Sequence, residues 1–351
     1  MLRGAKALLT AYALGILLVA LPHLPTVNPG NEPVSVDTFY YLRFISYADA
    51  EGLLPALASF RGMARPVYLA TIYALSRLID PVLLMDLVHP IATTLLLATA
   101  SYLVARRFFG EEAAGVAAIV AAVGRSAVTF IAGGFQANAL ALPLAIAMLL
   151  ARPGSPELLA AACTVALIHP WTFAMYSAGY LAAHCRALLK NLRRGLTTVL
   201  FFAIALLLSE LVGRFLGGAS PTEATTVTVH RSLGLYFPQN LFRGVELWTW
   251  GSQASAPIFM AASLAPPSPL WGVAAVASPL ILASSSVIVH RLVLNLPLEV
   301  MAAATVCRAR RELLALFLAA SLARSLVVLT GLSPRYTYHS VLGAMLEVGR
   351  G

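Results

Sequence analysis

The chain has 351 residues, of which 59% are hydrophobic and only 11% are charged, and its mean hydropathy is +0.82. Soluble domains are roughly 25% charged, so this composition excludes a soluble enzyme. The formal net charge is +9 and comes almost entirely from arginine. Because the basic residues lie in short connections between apolar blocks, they indicate membrane topology and contact with membrane lipids, with no nucleic-acid partner.

Recurrent apolar blocks predict an all-α fold, a polytopic transmembrane helical bundle of about 10–12 hydrophobic helices that forms one integral membrane domain over residues 1–351. Segments 64–79 and 254–266 are short enough to be either spans or interfacial pieces. The predicted spans are 5–22, 64–79, 82–104, 113–132, 136–151, 157–170, 171–187, 196–215, 254–266, 270–289, 291–306 and 312–331.

The charges between the spans predict a multi-pass protein of the cell membrane with a cytoplasmic N-terminus. Arg3 and Lys6 are followed by the apolar run of the first span, and no small-residue cleavage site follows that run. Segments 23–62 and 217–253 then form two outer loops. The strongest basic connections, expected in the cytoplasm, contain Arg186, Lys190, Arg193, Arg194, Arg308, Arg310 and Arg311.

One basic pair conflicts with this topology. Simple alternation of the spans places Arg106 and Arg107 outside, unless segment 64–79 does not cross the membrane. Both arrangements remain open from the sequence.

An amphipathic interfacial helix is predicted in the first outer loop, with Asp37 at or near its N-cap. One apolar stripe would contain Tyr40, Tyr41, Phe44, Ile45 and Ala48. Asp37 is then either a helix cap or a carboxylate at the water–lipid boundary. In the second role it would accept a proton from a substrate hydroxyl or hold a metal.

Two arginines follow this helix. Arg61 and Arg65 come just before the apolar segment that begins at Pro66. A guanidinium at this boundary suits the phosphate of a lipid headgroup. The alternative is an arginine that extends to headgroups in general.

In their order along the chain, several short elements resemble those of the GT-C superfamily of membrane glycosyltransferases. Members of this superfamily transfer a sugar from a polyprenyl phosphate or pyrophosphate carrier. The elements are Asp37, Tyr40, Tyr41 and Arg43 in the first outer loop, Arg-Pro-Val-Tyr at the start of 65–75, Ala-Arg-Arg-Phe-Phe-Gly within 104–110, Ile-His-Pro-Trp-Thr at 168–172 and Pro-Arg-Tyr-Thr-Tyr-His at 334–339.

The resemblance implies a transferase that takes a lipid-linked sugar donor and uses Asp37 as general base or metal ligand. Relatives usually have a second acidic residue near 133–140, where this chain has Gln136 and Asn138. A divalent metal is therefore not supported by a second acid, and the cofactor stays open. The substrate-binding residues it implies are Tyr40, Arg61, Arg65, Asn138, Arg231, Arg243, Arg335 and His339.

Other polar residues carry weaker expectations. His89 and His169 precede prolines and are expected to bond carbonyls that the prolines free. Glu210 and Arg214 are spaced to pair on one helix, and Arg324 is expected to face protein or water. The second outer loop would either close over the site or place Trp248 and Trp250 in the interfacial aromatic belt.

Two alternatives to the transferase remain open. A transporter or lipid flippase would explain the Pro-broken segments near His89 and His169. A catalytically inactive GT-C-like scaffold would explain the missing second acid.

Overall fold

A computed structural model describes residues 4–30, 33–35, 37–60, 65–133, 135–216, 256–283 and 292–330. Within these ranges every regular element is a helix. The first helices are α1 (Ala5–Ala20), α2 (Thr38–Glu51), α3 (Leu53–Ser59), α4 (Pro66–Ser76), α5 (Pro81–Leu83), α6 (His89–Phe109), α7 (Glu111–Val123), α8 (Arg125–Ala132) and α9 (Gln136–Met148). They are followed by α10 (Pro156–Ile168), α11 (Pro170–Lys190), α12 (Leu192–Phe215), α13 (Ala256–Ser263), α14 (Leu270–Ala283), α15 (Leu298–Val306) and α16 (Arg311–Leu329).

Five helices in the described ranges are long and apolar enough to cross a membrane. The predicted all-α fold with several long apolar helices is thereby confirmed for the described residues, whereas the number of crossings and their orientation stay predictions. Helix α4 is too short to cross alone, since 11 residues rise about 16 Å against a hydrocarbon thickness of about 30 Å. The five helices are Ala5–His23, Pro81–Phe109, Glu111–Ala132, Leu192–Phe215 and Arg311–Leu329.

Helices α1 and α6 pack antiparallel and bring the two ends of the segment between them together. Tyr12 and Thr99 share a hydrogen bond of 2.6 Å near their middles. At the end of α1, the His23 ring lies 3.1 Å from the backbone oxygen of Asp86, just before α6. The chain between these residues therefore leaves and returns at the same end of the bundle. Helix α4 does not carry it to the opposite end.

Small residues allow the central helices to approach closely. A Cβ on Gly15 of α1 would lie 2.8 Å from the Cγ2 of Thr94 on α6. Helix α7 is rich in alanine, and ten of its 13 residues are buried. Gly110, with a φ of 92°, turns the chain from α6 into α7. The core of the bundle is therefore built from short side chains.

The stripe predicted on α2 is confirmed as a buried face. Tyr41, Phe44, Ile45 and Ala48 are at most 2% exposed, whereas Tyr40, the other member of the predicted stripe, is only partly buried. The rings of Tyr41 and Phe44 pack edge-to-face on Tyr68 and Phe60. In the structure this face contacts α3 and α4, so protein rather than lipid covers it.

The connections at the end of the bundle away from Asp37, here called the basic end, lie together. Helices α6 and α9 both begin near the first outer loop and pack against each other, so Gly110 and residues 149–155 share the basic end. The Tyr180 hydroxyl bonds the Ala151 oxygen at 2.9 Å, and Gly154 lies against Thr197. Cys307, four residues before α16, lies within electrostatic range of Glu112 at the start of α7, which places the start of α16 there too.

Most exposed basic side chains of the described residues lie at the basic end. Arg106 and Arg107 are among them, because the chain leaves α1 and enters α6 at the same end of the bundle, so α6 ends at the basic end. The conflict seen in the sequence is therefore removed. The exposed basic residues there are Lys6, Arg106, Arg107, Arg152, Arg186, Lys190, Arg193, Arg194, Arg308, Arg310 and Arg311, against Glu111, Glu112, Glu157 and Glu312.

We predict that Gly15→Ala destabilises the protein by about 1–3 kcal/mol, because the added methyl group meets the Thr94 side chain. Thermal unfolding in detergent measures the effect. Adding Thr94→Ala removes the clashing methyl group and should restore most of the lost stability. Equal unfolding temperatures for wild type and Gly15→Ala would contradict the close approach of α1 and α6.

Candidate functional site

Asp37 joins the starts of two helices. It occupies the N-cap position of α2, as predicted, but its side chain makes no cap bond to that helix. Instead, its Oδ2 accepts a hydrogen bond of 2.7 Å from the backbone N–H of Phe135, the N-cap of α9. The positive partial charge of a helix N-terminus favours a carboxylate at this place. Asp37 therefore anchors the outer loop to α9.

Tyr40, Tyr41 and Arg65 complete a group with Asp37, here called the Asp37 cluster. Burial raises the pKa of Tyr41 to about 12, the Arg65 guanidinium lowers it, and the Asp37 carboxylate raises it. Burial also raises the pKa of Tyr40, with opposing contributions from Arg65 and Asp37. Both charges thus act on the same two hydroxyl groups. Arg65 stands near the Tyr41 hydroxyl without a well-aligned hydrogen bond to it.

Asp86 attaches the start of α2, next to this cluster, to the segment just before α6. It is 5% exposed and lies in a π-helical turn, Leu84–Val88. Its carboxylate accepts hydrogen bonds from the Thr38 hydroxyl at 2.5 Å and the Val34 N–H at 2.9 Å. No role of Asp86 was predicted from the sequence. The available signal was an aspartate inside an apolar block, where a charge is costly without partners.

Asn138 lies in the protein interior and belongs to a second group, here called the Thr172 cluster, with His169, Thr172, Tyr176 and Asn295. The Thr172 hydroxyl is 2.8 Å from the side-chain oxygens of Asn138 and Asn295 and 2.7 Å from His169 Nδ1. Tyr176 donates to the Asn295 backbone oxygen at 3.0 Å. Asn138 is 2% exposed, so its contacts are with the protein core rather than an open water-filled surface.

The two His-Pro pairs begin helices α6 and α11. His169 Nδ1 accepts the Thr172 N–H at 3.1 Å and thereby caps α11, a role that the sequence analysis did not foresee. His89 shares a hydrogen bond of 3.0 Å with the Tyr68 hydroxyl, rather than with the carbonyl that was predicted. The physical reason is that the backbone groups left without partners at a helix start are N–H donors.

Arg125, Glu299 and Arg324 form a buried group, here called the interior charge cluster. Each is at most 8% exposed. Glu299 accepts the Ser126 N–H at 3.0 Å and interacts electrostatically with both guanidinium groups. Arg125 also lies over the Phe259 ring, 5.7 Å from its centroid. Arg324 faces protein, as expected, whereas Arg125 and Glu299 were missed.

The remaining predicted residues divide into two sets. Glu210 and Arg214 form the expected pair at 2.7 Å. Five candidates, Arg61, Arg231, Arg243, Arg335 and His339, lie outside the described residues. Among the described residues, no three His, Cys, Asp or Glu side chains are grouped to hold a metal ion.

Comparisons with known proteins add nothing to this description: no family model, curated protein or solved structure matches the chain.

Replacing Asp86 by alanine should free the start of α2. We expect a loss of roughly 1.5–3 kcal/mol, because two hydrogen bonds to a buried carboxylate are removed. Thermal unfolding and hydrogen exchange of the backbone amides of residues 37–41 measure it. Asp49→Ala is the control, since its ion pair with Arg77 is half-exposed and contributes about 0–1 kcal/mol. Equal effects of the two substitutions would contradict the anchoring role.

Glu299→Gln keeps an oxygen for the Ser126 N–H and removes only the charge. We expect a loss of about 3–5 kcal/mol, because two buried guanidinium groups lose the carboxylate between them. The exposed Glu312→Gln serves as the control. An unchanged unfolding temperature for Glu299→Gln would show that the carboxylate does not compensate the arginines.

Proposed function

We propose that the chain is a GT-C-like glycosyltransferase that transfers a sugar from a polyprenyl-phosphate carrier to an acceptor on the outer membrane face. The observation that supports this most is the Asp37 cluster, in which one carboxylate and one guanidinium act on the same pair of tyrosines. A base and a phosphate-binding group are the two functions that such a reaction needs from the protein.

In this mechanism the acceptor hydroxyl attacks the anomeric carbon of the donor sugar. The bond from that carbon to the phosphate oxygen breaks, and Asp37 takes the hydroxyl proton. Arg65 stabilises the negative charge that develops on the departing lipid phosphate. The hydrogen bond from Phe135 orients the carboxylate. Tyr40 is only partly buried and, like an ordinary tyrosine, is protonated at neutral pH, so its hydroxyl group can donate to the substrate. Tyr41 is fully buried and packs against Tyr68 beside it.

The proposal includes an orientation in the cell membrane. The basic end would face the cytoplasm, because cytoplasmic connections carry an excess of Lys and Arg. Eleven exposed basic side chains against four acidic ones support this assignment. The N-terminus would then be cytoplasmic, and the Asp37 cluster would open to the outer face.

Cysteine labelling tests this orientation. Cys185 is exposed near the basic end, and Ser59 is exposed at the end of α3. With Cys163 and Cys307 replaced by serine, a membrane-impermeant maleimide added to intact cells should label Ser59→Cys and leave Cys185 unlabelled. Permeabilised cells, in which both should react, are the control. Labelling of Cys185 alone in intact cells would reverse the orientation and contradict an external site.

The Asp37→Asn substitution tests the catalytic role most directly. The amide oxygen can still accept the Phe135 N–H, so the anchor is kept while the base is removed. We expect sugar transfer to fall by roughly 10²–10⁴-fold. The assay is transfer from a labelled polyprenyl-phosphate sugar in reconstituted vesicles, with a hydroxyl acceptor and in the presence and absence of divalent metal.

Asp49→Asn is the matched control on the same helix, because this half-exposed carboxylate pairs with Arg77 away from the cluster. It should transfer at the wild-type rate. Wild-type transfer by a folded Asp37→Asn protein would rule out Asp37 as the base.

A transporter or lipid flippase is the second candidate. The observation that favours it is the interior charge cluster, since ionisable residues inside membrane helices mark substrate and ion pathways. The chain is also non-helical at Asn295–Pro297. This short stretch starts at Asn295 of the Thr172 cluster and ends two residues before Glu299. The same vesicles distinguish the two functions: a flippase moves labelled lipid across the bilayer without any acceptor and without bond cleavage.

A further inference from the structure

A groove of about 660 Å³ lies between α9 and α10 at the basic end, apart from the Asp37 cluster. Its volume is within the range of roughly 300–1,000 Å³ that small-molecule sites occupy. Leu144, Ala147 and Ala161 line its apolar part. Arg152, Ser155 and Glu157 line its mouth. The groove therefore combines an apolar interior with a charged entrance.

The groove follows the helix axes into the apolar part of the bundle. Glu157, Ala161 and Thr164 all line it and lie on one face of α10, at spacings of four and three residues. From Glu157 to Thr164 the helix rises about 10 Å. The alanines on both helices leave room between them. This shape suits part of an acyl chain that enters from the membrane surface.

Charges of both signs stand at the mouth. Arg152 and Glu157 are exposed and interact electrostatically with each other. Ser155 caps α10 by accepting the Leu158 N–H, which places Glu157 in the first turn of that helix beside the groove. A guanidinium binds phosphate through charge-assisted hydrogen bonds. A carboxylate binds an ammonium group that has hydrogens to donate. The mouth is thus complementary to a headgroup with both charges.

We propose that this groove binds one membrane phospholipid with a primary ammonium headgroup, such as phosphatidylethanolamine. Its acyl chain would pack against Leu144, Ala147 and Ala161, its phosphate would bind Arg152, and its ammonium would bind Glu157. Choline headgroups fit less well, because quaternary ammonium groups have no hydrogen to donate and are held by aromatic cages. No aromatic residue is among the described residues that line the groove. The proposal is independent of the transferase reaction.

Native mass spectrometry of the purified full chain tests this site with defined lipids. Phosphatidylethanolamine, phosphatidylcholine, phosphatidylglycerol and a polyprenyl phosphate are added separately and in pairs. For wild type we expect one phosphatidylethanolamine to bind about tenfold more tightly than phosphatidylcholine, a difference of about 1.4 kcal/mol. Equal binding of these two lipids would overturn the proposal. Displacement by phosphatidylglycerol or by polyprenyl phosphate would also overturn it, because the groove would then be an anionic-lipid or donor site.

Substitutions of the exposed Arg152 and Glu157 test the two charges one at a time and leave the buried core unchanged. Glu157→Gln should abolish the preference for phosphatidylethanolamine over phosphatidylcholine, whereas Arg152→Gln should weaken the binding of both about tenfold. Leu144→Trp should block the groove to both lipids. Glu312→Gln and Arg193→Gln, at the same end but outside the groove, should bind like wild type. An equal loss in these two controls would show that general surface charge, not the groove, binds the lipid.

Discussion

The hydrogen bond from the Phe135 N–H to the Asp37 carboxylate is the contact on which the arrangement of this end of the bundle depends. It joins the start of α2 to the start of α9, two helices that are 98 positions apart at this contact. Asp86 adds a second attachment through Thr38 and Val34. Together the two carboxylates hold the first outer loop against the bundle. Arg65 and the tyrosines next to Asp37 can then occupy defined positions.

The same bond bears on the catalytic role that we propose for Asp37. A carboxylate that caps a helix is stabilised in its charged form, which lowers its strength as a base. A carboxylate that must be held in one orientation, however, needs such a partner. The proposed reaction relies on this orientation and on Arg65 to compensate the charge of a lipid phosphate. The transferase proposal therefore does not require that Asp37 be free of structural contacts.

Local patterns in the sequence predicted much of the fold. The apolar blocks predicted the long helices, and the stripe from Tyr41 to Ala48 predicted the buried face of α2. Contacts between residues that are far apart in the sequence could not be predicted in this way. The side on which Arg106 and Arg107 lie depends on the return of the chain at His23 and Asp86, and no local pattern carries that information. Arg125 and Glu299 were missed for the same reason, since the Ser126–Glu299 contact spans 173 positions.

The account is tested most directly by an experimental structure of the protein with a polyprenyl-phosphate sugar bound in lipid. The account predicts density for the lipid phosphate within hydrogen-bond distance of the Arg65 guanidinium and the sugar next to the Asp37 carboxylate. A phosphate bound at the interior charge cluster or at the basic end, with Asp37 remote from the sugar, would contradict it.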